Sequence, residues 1–142
     1  MTSKKKEISQ ELNVNEVVNY WIESSDSDYN SMLNMYEKKD YHWALFTGHL
    51  LIEKLLKAYY VKLKKKHAPL IHNLLKLATD IGLELTDENK SFLVTVTVFN
   101  INARYDDFKR VFYKKCTKKY TDLWIKKIRE NREWIKGLIN SL

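Results

Sequence analysis

The sequence holds one cysteine, one proline and three glycines in 142 residues. So few glycines cannot furnish the positive-φ positions that hairpin-rich sandwiches and barrels need, nor a glycine loop that cradles a phosphate. A lone Cys116 closes no disulfide within the chain and seeds no multi-cysteine zinc site, which points to a reducing, cytoplasmic setting. The longest run without a charge, Ser91 to Ala103, has thirteen residues, where a membrane-spanning helix needs about 20, so no membrane association is expected. No apolar run follows Lys4, Lys5 and Lys6, and no signal peptide is expected. GxSxG, HExxH and Walker-type signatures are all missing.

What is there is apolar and helical. Residues of the apolar classes make up 44% of the chain, including four Trp, nine Tyr and five Phe, enough for one core. After a polar tail over 1–13, a single domain is expected over 14–142. Val14, Val18, Trp21, Tyr29, Met32 and Tyr36 recur at helical spacing, broken by the polar patch Ser24 to Asp28, which fits one long helix or two short ones. Asp40 is placed to cap a new helix. From Tyr41 to Lys66 the residues Ala44, Leu45, Gly48, Leu51, Ile52, Leu55, Ala58 and Tyr59 form one stripe, which ends in lysines and then Pro69. A short helix over Leu70 to Ile81 is closed by Gly82, and Thr86 opens the next. Val94-Thr95-Val96-Thr97-Val98 has strand propensity, but no partner strand is evident, and Phe92, Val96, Phe99 and Ala103 keep a helical register. Asp106 to Thr117 reads as an aromatic and basic connector. Tyr120, Trp124, Ile128, Ile135, Leu138 and Leu142 mark a last helix. The expectation is an all-α, antiparallel up-and-down bundle of about five helices.

The net charge of +7 is concentrated. Lys54 to Lys66 holds six lysines and no acid, and Lys109 to Lys136 holds eleven basic residues against Asp122, Glu130 and Glu133. Phe112, Tyr113, Tyr120 and Trp124 interleave with the second cluster, as either phosphate contacts with base stacking or a solvated face over core aromatics. His42 and His49, seven residues apart, stand about 10.5 Å apart along a helix axis, too far to share a metal directly. His67 and His72 have no third ligand nearby, so neither metal nor cofactor is expected. Glu53 and Lys57 fit an ordinary i, i+4 surface pair, and Arg104, ahead of Tyr105, Asp106 and Asp107, fits a helix-end cation.

Several segments in order resemble the HEPN domain (higher eukaryotes and prokaryotes nucleotide-binding). They are Tyr20-Trp21-Ile22-Glu23 to Asp28-Tyr29, Asp40-Tyr41-His42-Trp43-Ala44-Leu45, Leu50-Leu51-Ile52-Glu53-Lys54-Leu55-Leu56-Lys57-Ala58, Pro69-Leu70-Ile71-His72-Asn73-Leu74 and Ala103-Arg104-Tyr105-Asp106. The resemblance implies a homodimeric helical bundle that binds nucleotide or RNA and is often paired with a minimal nucleotidyltransferase. It makes Arg104 the best catalytic candidate and places Glu53 in a polar pocket, orienting Arg104; with the Arg104-Tyr105 motif lying beside the basic C-terminal third, phosphate binding is expected at Arg104, Tyr105, Lys109 and Arg110, and support of the pocket at Glu53, Asp106 and Lys57. Many relatives cleave RNA with an arginine and a histidine separated by four to six intervening residues. Here those later positions hold Lys109, Arg110 and Val111, whose protonated or apolar side chains cannot serve as a base at neutral pH. The resemblance therefore favours binding over cleavage. The alternatives are a metal-independent ribonuclease toxin that uses Arg104 with a non-standard base, His72 or Asp106, and a purely structural interaction module.

Overall fold

A computed structural model describes residues 12–142. Up to residue 11, the polar tail expected over 1–13 lies outside them. Six helices and no strand occur among the described residues: α1 (Val14–Glu37), α2 (Tyr41–Lys64), α3 (Leu74–Ile81), α4 (Asp87–Arg104), α5 (Asp106–Lys115) and α6 (Lys118–Asn140). No described helix is long and apolar enough to cross a membrane.

α1 is one helix, started by the Asn13 side chain accepting from the Glu16 amide at 3.1 Å. The polar patch Ser24 to Asp28 does not break it, because those side chains find partners on other helices. Ser25 is buried and its hydroxyl donates to the Leu51 carbonyl at 2.8 Å, Asp28 pairs with Lys54 at 2.7 Å, and Asp26 accepts from Arg132 and Lys136 at 3.0 and 2.9 Å. Partial burial pushes the Asp26 carboxyl up, yet the bonds from Lys136 and Arg132 outweigh it and hold the group below the ordinary carboxylate range.

The chain reverses through Lys38 to Asp40, with Lys39 in the left-handed region at φ 64°. Asp40 occupies the N-cap position of α2, but its carboxylate makes no capping bond; its backbone carbonyl accepts from the Ala44 amide at 2.9 Å. α2 is the spine. Ala44, Leu45, Leu51, Ile52, Leu55, Leu56, Ala58 and Val61 are all fully buried along it. It stops at Lys64, two residues short of expectation, on a left-handed Lys65. The next helix begins at Leu74 rather than Leu70, because Asn73 provides the cap: its side chain accepts from the Lys76 amide at 3.1 Å. Gly82 closes that helix at φ 85°, where a side chain would be strained.

A full capping box between Thr86 and Asn89 opens α4. The β-branched run lies inside this helix, where Leu93, Val96 and Phe99 carry its buried face. α4 crosses α6 through Phe99 and Trp124, edge to face with centroids 5.3 Å apart. On the other side of the bundle, contacts from Tyr36 to Asp122 and from Asp26 to Lys136 run α6 antiparallel to α1. Gly48 lets α6 approach α2: a Cβ built there would lie 2.5 Å from Ile128 Cδ1.

The connector expected over Asp106 to Thr117 is instead the helix α5, which raises the count from about five to six. Asp106 and Asp107 in its first turn and Lys114 and Lys115 in its last match the helix dipole. Phe112 alone is buried from it, against Phe99 at a 5.4 Å centroid distance.

Candidate functional site

His42, His49, Glu53 and Lys57 recur at intervals of seven, four and four, which puts them on one face of α2. All four are buried. His72, just ahead of α3, bonds His49 and Glu53 of this stripe, while His42 lies against Tyr113 of α5, so the stripe takes part in two groups.

The first group centres on Glu53. At 5% exposure its carboxylate accepts from His72 Nδ1 at 2.7 Å through Oε1 and from Lys57 Nζ at 3.2 Å through Oε2. The Glu53–Lys57 pair expected at the surface is thus in the interior, with Lys57 also 5.4 Å from the centroid of the Trp21 ring. His49 is completely buried, and its Nε2 bonds the His72 backbone carbonyl at 2.9 Å. A carbonyl only accepts, so Nε2 carries the proton. Burial lowers the His49 pKa; the His72 carbonyl and Glu53 oppose that shift, while the charges of His72 and Arg104 add to it. A neutral imidazole fits a site in which Nδ1 has no partner among the described residues.

The second group is the corner. α4 ends at Arg104 and α5 begins at Asp106, so the extended Tyr105 alone joins them. Its amide donates to the Ile101 carbonyl at 3.1 Å, and its carbonyl accepts from Phe108 and Lys109 at 3.0 and 2.9 Å. Arg104 is exposed; its Nε donates to the Asn100 carbonyl at 3.2 Å and its guanidinium lies 5.6 Å from the Tyr105 ring centroid. Lys109 reaches over Trp43 at 4.9 Å, and with Arg110, Asp106, His42 and Tyr113 it lines a hollow of about 360 Å³. Burial lowers the His42 pKa, the Lys109 charge adds to that, and Asp40 opposes it.

Arg104, Tyr105, Asp106, Lys109 and Arg110 therefore share the corner, while Glu53 and Lys57 stand apart with His72 and His49. Glu53 makes no hydrogen bond or ion pair with Arg104 among the described residues; its carboxylate takes His72 and Lys57, and Arg104 Nε takes the Asn100 carbonyl. Asp106 lies at the rim of the hollow, not in the Glu53 group. Phe112 and Trp124 are core residues, Tyr120 is half-buried against Phe99 and Trp124, and Tyr113 is exposed. Sequence reasoning assigned His42 and His49 no role. Their common register with Glu53 was the available signal. Among the described residues, no three His, Cys, Asp or Glu side chains are grouped to hold a metal ion.

These features define an all-α bundle whose spine carries a buried polar stripe beneath an exposed cationic corner. The profile of the HEPN domain matches residues 18–138, and the chain belongs to the HEPN family, a generally nucleotide- and RNA-related group. No curated protein and no solved structure gives a match.

Proposed function

We propose that this HEPN domain binds nucleotide or RNA phosphate at the α4–α5 corner through Arg104, Lys109 and Arg110, with Tyr105 as a stacking surface. One observation carries the reading. The ion pairs formed by lysine and arginine among the described residues engage Lys54, Lys57, Lys76, Lys118, Arg132 and Lys136, and none engages the three corner cations. Three cations without carboxylate partners, beside an aromatic ring 55% exposed, suit an anionic ligand with a flat base.

Homodimerisation belongs to the same reading. Val94, Val98 and Ile101 on α4 and Phe108 and Val111 on α5 are exposed and flank the corner, an apolar stripe that a second copy would cover. Pairing with a minimal nucleotidyltransferase rests on family membership alone. A cytoplasmic location suits the buried Cys116, whose thiol burial pushes up to about 12, leaving it unreactive.

Fluorescence anisotropy with a labelled single-stranded RNA and with ATP tests the binding. Affinity should fall steeply between about 50 and 200 mM salt, by roughly tenfold for each two phosphates contacted, and Arg104→Ala should weaken it by a similar factor. Salt-insensitive binding, or an Arg104→Ala protein that binds as well as wild type, would remove the reading.

A further inference from the structure

We infer that a hollow between α4 and α6 is a second binding site, which takes an organic cation with an ammonium or guanidinium head. It lies toward the other end of α4 from the corner: Phe92 in its wall is twelve residues before Arg104, about 18 Å along the helix axis. The inference does not depend on phosphate binding at the corner.

α4 and α6 meet through aromatic rings. Trp124 takes Phe99 edge to face at 5.3 Å and stacks with Phe92 at 6.2 Å. Around the start of α4 the two helices leave a hollow of about 330 Å³, a size that suits a small ligand. Phe92, Trp124 and Trp134 supply its apolar wall.

Tryptophan in this chain keeps company with cations. Lys57 stands 5.4 Å from the Trp21 ring centroid, Lys109 4.9 Å from that of Trp43, and Lys127 4.6 Å from that of Trp124. Trp134 is the fourth tryptophan, half-buried, and no lysine or arginine of the described residues lies over its ring. Carboxylates are at hand instead. Glu130, one turn before Trp134, shares its face of α6, and Glu88 comes from the first turn of α4. Among the described residues neither glutamate enters an ion pair. Asn131 adds a neutral acceptor, because its Nδ2 donates to the Lys127 carbonyl at 2.8 Å and its Oδ1 is left over.

In a chain of net charge +7, this hollow presents two carboxylates against one ammonium, and that ammonium already sits over Trp124. An alkylammonium or a planar guanidinium can lie on the Trp134 ring while it donates to Glu130 and Glu88. An anion would meet two like charges at the same rim. The hollow and the corner therefore select opposite signs. Lys127 is the one lining group that repels the cation, and its ammonium, not its stem, does so.

Isothermal titration calorimetry of the full-length protein with agmatine, spermidine and N-acetyl-arginine amide tests the site, with glutamate as the anionic control. At least one of the three cations should bind at a single site with a Kd of about 1 mM or tighter, and glutamate should not bind. Trp134→Leu and the pair Glu88→Gln with Glu130→Gln should each weaken binding about fivefold or more. Lys127→Met, which keeps the stem on Trp124 and drops the charge, should tighten binding about threefold, a gain that a misfolded variant cannot mimic. Circular dichroism melts verify the folding of each variant. Spermidine binding more tightly than N-acetyl-arginine amide assigns the site to a free polyamine, and the reverse order assigns it to an arginine side chain of a protein partner. No heat from any of the three cations, equal binding of glutamate, or a Lys127→Met protein that binds no better than wild type overturns the inference.

Discussion

Lys57 sits at 5% exposure with one carboxylate to answer its charge, and that carboxylate also serves His72. Deleting the acid strands the ammonium in the interior, without the carboxylate it pairs with and 5.4 Å from the centroid of the Trp21 ring. Breaking a buried pair from one side costs about 3–5 kcal/mol, whereas replacing both partners with apolar groups is often neutral. Glu53→Ala should therefore lower unfolding free energy by about 3 kcal/mol in urea titrations, and Glu53→Ala with Lys57→Met should regain most of it. If the double variant is no more stable than the single one, the ion pair is not what the residue supplies. Little of this was visible in the sequence. A Glu and a Lys four apart on a helix read as a surface pair, because the partner that completes the group, His72, is nineteen residues away across a loop. Glu53, Lys57 and Arg104 could be picked out by type and spacing, but not the partners that Glu53 takes.

At the scale of elements, local pattern and packing compete openly. The run from Val94 to Val98 prefers strands, yet the capping box at Thr86 and the buried register of Leu93, Val96 and Phe99 hold it helical. Periodicity was a sound guide there, and also along α2, where the apolar stripe is dense. It failed for α5, since a helix that buries only Phe112 shows no stripe to read and is specified by its charged ends instead. Gly48 poses the competition as a measurement. Alanine would gain up to about 1 kcal/mol in helix propensity but would push against Ile128, which is fully buried and has nowhere to move, at about 1–3 kcal/mol. Gly48→Ala should be destabilising by about 1 kcal/mol in thermal or urea melts, and adding Ile128→Val should relieve the loss. A stabilised Gly48→Ala protein would mean that α6 can draw back from α2 freely.

At the scale of the whole molecule, exposed apolar side chains of α4 and α5 lie in the same helices as the corner cations. Val94, Val98 and Ile101 are exposed on α4, which ends at Arg104, and Phe108 and Val111 are exposed on α5, which carries Lys109 and Arg110. A two-fold contact through these side chains would set two cationic corners side by side and double the field offered to a phosphate backbone. Size-exclusion chromatography with light scattering should give the mass of a dimer, and Ile101→Glu, which places a charge in the stripe, should give a monomer that still folds. A wild-type monomer at high concentration would remove the dimer from the reading.

The corner at Tyr105 has a consequence of its own for how the molecule tolerates change. One residue serves both helices, ending α4 through its amide and starting α5 through its carbonyl. Substitutions there other than proline leave these bonds in place, because all of them are main-chain. Length is another matter: each added residue of helix rotates the rest of α5 by about 100°, so a single insertion would swing Phe112 off Phe99 and Lys109 off Trp43 together. The joint behaves as a fixed-length coupling, indifferent to which side chain it bears and intolerant of slack, and it ties the aim of the cationic surface to the seating of the core.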